Sequence, residues 1–242
     1  MVDEFADTKQ DMGSEPVIGG SKPEKSVDTG AQVIAAIVVV VGLAGALWVL
    51  GGGRDAAGDT KPAVCETTHD AKSSKHTAAQ LCTALNRSDL PKLLGTPDEQ
   101  AISASGNVST STSANGTKTD FPEADVDLKT YSLELSASDD DFPVSELADF
   151  LGDTVQKRSF LGHPAVLYSD HTTALHFNLG GGKVHTGPGG IARTLIVAKD
   201  AKDGGGSFEV SIWRQDFATP DDAALFRVAE KVLPTVPGWT AG

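Results

Sequence analysis

From Val33 to Leu50 the chain reads VIAAIVVVVGLAGALWVL, a run without a single charged side chain. As a helix rising about 1.5 Å per residue, the stretch from Ala31 to Leu50 reaches about 30 Å, the thickness of a bilayer's hydrocarbon layer. A helix satisfies its own backbone hydrogen bonds in lipid, and Trp48 stands near the end, where an indole meets the interface. One transmembrane helix over Ala31–Leu50 is therefore expected, and it makes the membrane the first expected partner. A cleaved secretory signal competes, because Ala44-Gly45-Ala46 has the small residues that a signal peptidase prefers. Against cleavage stand a long acidic region before the run and the apolar continuation Leu47-Trp48-Val49-Leu50. An uncleaved signal anchor is the expectation.

The rest of the chain is organised around that run. Residues 1–30 hold seven acidic and three basic side chains and almost no large apolar residue, the composition of a disordered acidic tail. Residues 51–60, beginning GGGRDAAGD, read as a flexible linker. Residues 61–242 form one soluble domain, long enough to bury a core. Lys22 and Lys25 before the apolar run nearly balance Arg54 and Lys61 after it, so flanking charge does not orient it. The two cysteines do. Cys65 and Cys82 both lie beyond the run, and an isolated pair there suggests a disulfide in an oxidising compartment. The expected localisation is a single-pass cell-membrane protein with its N-terminus in the cytoplasm and its C-terminal domain outside. Gly42 and Ala46 offer a small-residue pair for helix packing, a pattern too common to fix an oligomeric state. A net charge of −13 without a basic stretch argues against nucleic acid as a partner.

Thr77-x-x-Gln80 has the form of a capping box ahead of a short helix with Leu81, Ala84 and Leu85 on one face. Ser88 is a candidate cap for DLPKLLG, which ends at Gly95. Residues 102–120, rich in Ser, Thr, Asn and Gly, read as an exposed loop or weak edge strand. Strand alternation begins at Tyr131-x-Leu133-x-Leu135. It returns around Ala165–Tyr168 and Ala174–Asn178, with turn signals at Gly162-His163-Pro164, Ser169-Asp170 and Gly180-Gly181-Gly182. RTLIVAKD and SFEVSIWR form a hairpin across a Gly-rich turn, and VSELADFLG is a helix of about two turns or irregular. Thr219 as N-cap, Pro220 at the first position and Leu225, Val228, Ala229 and Val232 as a stripe define a closing helix. The expected fold class is α+β: one transmembrane helix followed by an antiparallel sheet packed with N- and C-terminal helices.

The segments LCTALNRSDLPKLLGTP, LGHPAVLYSD, KDGGGSFEVSIWR and PDDAALFRVAEKVLPTVPGW resemble a family of uncharacterised single-pass membrane proteins of streptomycete-type actinobacteria. That resemblance implies a surface location and this architecture, and it transfers no functional residue. More remotely, the cysteine pair around a first helix, the LLG turn and the closing helix are similar to actinobacterial lipoproteins with a PsbP-like α+β fold. This chain lacks their lipidated cysteine.

Several constellations could carry chemistry. Cys65 and Cys82 would close a loop worth about 3 kcal/mol as a disulfide. Alternatively, Cys65, His69, His76 and Cys82 could bind a metal as C-x3-H-x6-H-x5-C, a spacing that matches no common zinc signature, or a thiol could remain free and reactive. His163, His171, His176 and His185 fall among the strands and could meet as a metal or acid/base site. Ser169, Asp170 and His171 are consecutive, which in a strand points them to alternating faces and away from a triad. Gly180-Gly181-Gly182-Lys183 lacks the Ser or Thr of a phosphate loop, since Val184 follows. Asp139, Asp140 and Asp141 could hold calcium loosely or form a solvated acidic turn. Asn86, Asn107 and Asn115 begin N-x-[ST] sequons that in a bacterial protein arise from composition alone.

With no catalytic residues, metal ligands or cofactor assigned, the leading expectation is a non-enzymatic, membrane-tethered extracytoplasmic module that binds a protein, peptide or envelope component through its sheet face or the loops around Gly180. The alternatives are an envelope enzyme, such as a metal-dependent hydrolase using the strand-region histidines, and a structural subunit of a membrane complex.

Overall fold

The computed structural model describes residues 62–67, 75–112, 116–151, 155–176 and 185–240. The expected tail, the apolar run Ala31–Leu50, the linker 51–60, His69, Asn115 and the Gly180–Lys183 loop all lie outside these residues.

Eight strands form one sheet: β1 Glu66–Thr67, β2 Ser103–Thr112, β3 Lys118–Asp127, β4 Tyr131–Ser138, β5 Gln156–Phe160, β6 His163–His176, β7 His185–Ala198 and β8 Ser207–Arg214. Their order is β1-β2-β3-β4-β8-β7-β6-β5. Two meanders, β2–β4 and β5–β8, therefore meet where the last strand pairs antiparallel with β4. Helices are few and short: α1 Ala78–Leu85, α2 Leu90–Leu94, α3 Val144–Leu147 and α4 Asp222–Val232, the last followed by a 3-10 turn at Leu233–Thr235.

The expected fold class needs correction. The sheet is mixed rather than antiparallel, because β1 runs parallel to β2, with Glu66 beside Ser105 and Thr67 beside Gly106. A two-residue strand is too short to show any alternation in sequence. The sheet also dominates the fold, with few helices against it, and no helix among the described residues is long and apolar enough to cross a membrane.

Strand alternation assigns every side chain to one of two faces. On one face Ala124, Val126, Leu133, Leu135, Ile212, Val210, Phe208, Leu195, Val197 and Leu167 form a continuous buried core beneath α1, α2 and α4. Removing each large aliphatic side chain from water contributes roughly 1.5–3 kcal/mol. α1 begins where expected: Thr77 and Gln80 make both bonds of the capping box. It approaches β2 closely at Gly106, where a Cβ would come within 2.7 Å of the Ala78 carbonyl oxygen. α2 ends at Gly95, whose φ of 84° suits a glycine C-cap. Its N-cap is Asp89 rather than Ser88.

α4 starts later than the sequence suggests. Asp221 is its N-cap, accepting a 3.0 Å bond from the Ala223 amide, and Pro220 stays outside the helix. The displacement has a physical cause. Arg193 on β7 grips Asp222 with two bonds of 2.6 and 2.7 Å, which fixes the helix start against the sheet. The expected stripe Leu225, Val228, Ala229 and Val232 is buried.

Three further expectations are resolved. Residues 102–120 take the strand alternative over the loop: they contain β2 and the start of β3, and the two strands pair in register from Ser103–Asp127 to Thr112–Lys118. Ser169-Asp170 is no turn: β6 runs unbroken from His163 to His176, with an irregular register against β7 between His171 and Thr173. VSELADFLG supplies a single helical turn, α3, packed on the opposite face against Val166, Tyr168, Ile196 and Ala198.

Candidate functional site

That opposite face carries the unusual chemistry. Cross-strand register lays its side chains out in rows. The central row runs Glu66, Ser105, Asp125, Glu134, Ser211, Thr194 and Tyr168 from β1 to β6. Beside it on one side lie Asn107, Glu123, Ser136, Glu209 and Ile196. On the other lie Ser103, Asp127, Ser132, Trp213 and Ala192. Carboxyls and hydroxyls thus occupy positions where a sheet face normally carries either apolar groups or freely solvated ones.

Burial makes the arrangement costly. Glu134 is 3% exposed, and Glu123 and Glu209 are each 8% exposed. Asp125, Asp127 and Trp213 are half-buried, whereas Ser132 and Ser211 among them are buried. Some carboxyls have hydrogen-bond donors. Ser103 and Ser132 donate to Asp127 at 2.7 and 2.6 Å, and the Tyr168 hydroxyl reaches Glu209 at 3.3 Å. Thr194 and Ser211 share a 2.8 Å bond. Glu134, at the centre, has no hydrogen-bond partner among the described residues, and the charges nearest it are those of Asp125, Glu123 and Glu209.

A buried carboxyl without a cation holds its proton, because desolvation and like charge both disfavour the ionised form. Burial pushes Glu209 up to about 7. Burial, with Asp125 adding to it, pushes Glu123 up to about 7. Asp125 and Glu134 rise for the same first reason, burial, and then through their acidic neighbours. Burial likewise raises the Tyr168 phenol, with Glu209 contributing. Among the described strand residues of this face the one cation is Lys157, on the far edge strand β5 and bonded to Asp149 at 3.1 Å. The face is therefore neutral or negative according to pH, and it offers acceptors in excess of donors.

The residues singled out in the sequence fall elsewhere. Cys65 and Cys82 form a disulfide with their Cα atoms 6.0 Å apart, so their sulfurs are not available to a metal. His76 is buried beside them in sequence but serves the C-terminal segment. Its Nε2 lies 2.7 Å from the Pro237 carbonyl oxygen, which makes Nε2 the protonated nitrogen and leaves Nδ1 facing the Lys199 ammonium at 3.4 Å. Lys199 in turn bonds Asp139. Burial and the Lys199 charge lower the His76 pKa.

The strand-region histidines lie at three separate levels of the β6–β7 pair. His163 is fully buried on the apolar face, stacked on Trp239 with ring centroids 4.2 Å apart, and its Nδ1 meets the Ala198 carbonyl at 2.8 Å. His171, eight residues along the same strand and about 25 Å away at strand spacing, bonds the Gly189 carbonyl at 3.1 Å. Register sets His176 opposite His185. Ser169 accepts from Arg193 on the apolar face, which separates it from Asp170 on the other. Asp139 is held by Lys199 and the Lys75 amide, and Asp140 by Ser138 and the Phe142 amide, so both are spent on a turn. Among the described residues no three His, Cys, Asp or Glu converge as a metal site.

Sequence reasoning missed the carboxylate face entirely. The signal was present in EADVD and LELS, where acids alternate with apolar residues at strand period, yet acids in such a pattern read as the solvated side.

The chain belongs to a family of unknown function, DUF6215, whose model matches residues 24–154. The match takes in the apolar run, the disulfide and four of the face's acids, Glu123, Asp125, Asp127 and Glu134, while Glu209 lies beyond it. No curated protein and no solved structure matches the chain, so the PsbP-like likeness gains no support from these comparisons.

Proposed function

We propose that the chain is an extracytoplasmic binding module, non-enzymatic and held at the cell membrane through the apolar segment 31–50, which accepts a positively charged group on its carboxylate-bearing face. The observation that carries the reading is Glu134: a buried carboxyl at the centre of other carboxyls with no hydrogen bond of its own. Such a group is expensive to bury and makes sense where a cation completes it. The Cys65–Cys82 bond supports a compartment in which disulfides persist.

The test is fluorescence anisotropy of a labelled lysine decamer with the full-length chain in detergent micelles, near pH 8 and at low salt. Glu134→Gln should weaken binding about tenfold or more, the loss of one charge-assisted contact. Glu230→Gln removes the same charge from an exposed site on α4 and should leave binding unchanged. Equal effects of the two substitutions would reduce the interaction to the attraction of any polycation for an acidic protein, and the proposal would fail. The placement is checked on intact cells, where a membrane-impermeant maleimide should label the half-buried Cys65 after reduction and not before.

A further inference from the structure

Building on the reading of this face as a cation acceptor, we infer that its occupant is an alkyl diammonium, either a free diamine or paired lysine side chains, rather than a metal ion. A calcium or magnesium ion needs several oxygens within about 2.0–2.6 Å of one point. Here the carboxyl-bearing positions are separated by single strand spacings or two-residue repeats, about 4.8 and 6.7 Å, and no metal-type convergence occurs among the described residues. Two ammonium groups joined by a short methylene chain span such distances. One would meet Asp125 and Glu134, which lie opposite each other on β3 and β4; the other would meet Glu123 and Glu209, which flank Ser136 in the next row.

The remaining side chains fit the rest of such a molecule. Trp213, next to Ser132 in register, presents an aromatic surface of the kind that attracts ammonium groups. Ala192 on β7, beside Trp213 in register, offers apolar contact for methylenes. Glu134 is the second, independent mark of a ligand, because it is almost wholly buried, unbonded and aimed among the other carboxyls. The ionisable groups facing one another here are Glu123, Asp125 and Asp127 of β3, Glu134 of β4, Glu209 of β8, and Tyr168 and Asp170 of β6, with Glu66 and Lys157 at the two edges. Glu146 lies on α3, which packs over the β6–β7 end. Protons held by the central acids leave as the dication enters.

Isothermal titration calorimetry of the full-length chain in micelles decides it, using 1,4-diaminobutane, butylammonium and calcium chloride as probes in buffers of different ionisation enthalpy. Near pH 8 the diamine should bind about tenfold tighter than butylammonium and release protons, and it should weaken about tenfold near pH 5.5. Glu134→Gln should lose about tenfold and Trp213→Leu several-fold, with Glu230→Gln unchanged and all variants folded by circular dichroism. Stoichiometric calcium binding without diamine binding would overturn this inference while leaving cation acceptance intact. Failure of all three probes and of the lysine decamer on folded protein would overturn both.

Discussion

On one face of the sheet Leu133, Leu135, Val210 and Ile212 lie beneath the helices, out of reach of solvent. On the other, the residues that alternate with them, Ser132, Glu134, Glu209 and Ser211, are buried almost as deeply and carry polar groups. The two sets share the same strands, the same backbone hydrogen bonds and the same spacing. Burial by itself therefore says little about stabilisation. Apolar groups gain free energy on leaving water, whereas an unpaired carboxyl loses it unless it keeps its proton or meets a cation. The first face holds the fold together, and the second draws on that stability to keep a polar surface in place.

The sharpest way to break this contrast is to cut neighbouring positions of β4. Leu135→Ala should cost about 4 kcal/mol, the range for a fully buried leucine in a packed core. Glu134→Gln, one residue away and equally buried, should cost nothing near pH 8 and is expected to stabilise. Urea unfolding of both variants measures the difference, and a similar loss for each would mean that Glu134 already has a partner that stabilises it.

A second test separates the faces by pH. The carboxyls of the polar face are raised, Glu123 and Glu209 from 4.5 to about 7, so the folded state binds more protons than the unfolded one across that interval. Stability is then fullest near pH 4.5 and falls as pH rises through 7, by about 3 kcal/mol if the protons are shared within the cluster. His76 opposes this in part: its lowered pKa removes stability as pH falls below its ordinary 6.5. The unfolding midpoint should decline from pH 5 to pH 8 in the wild type and flatten in Glu134→Gln. A midpoint that rises over this range would place the carboxyls in ionised, compensated form.

The smallest effect belongs to the apolar side. Thr77→Ala removes one half of the capping box and should cost about 1 kcal/mol at every pH, because no titrating group of the polar face lies in that cap. A pH-dependent cost would show that α1 and the carboxylates are coupled.

The legible parts of the sequence were those where local chemistry and tertiary role agree. The Thr77–Gln80 box, the Tyr131–Leu135 alternation and the Leu225–Val232 stripe each state their element and their buried side together. The Cys65–Cys82 pairing was legible for the same reason. β2 and β3 were not, because serine, threonine and aspartate on a half-buried face imitate a solvated loop, and alternation was visible only to an eye expecting acids to be inside. The span of β6 through Ser169-Asp170 hid for a related reason: turn-forming residues in mid-strand signal a break unless a long partner such as β7 holds them extended. The candidate site was illegible as a site because its members come from strands on both sides of the β4–β8 pairing, which joins positions about 75 residues apart.

Strand β1 and the Cys65–Cys82 bond have a mechanical consequence. The described chain enters at residue 62, on the side from which the apolar run precedes it, so any pull from that direction arrives at an edge strand of only two residues. Hydrogen bonds of so short a strand would unzip under small force. The disulfide bypasses them, delivering tension directly into α1 at Cys82, a residue fully enclosed by the core. Load is thereby spread across the helix and the strands beneath it, and the outermost strand is spared from peeling away.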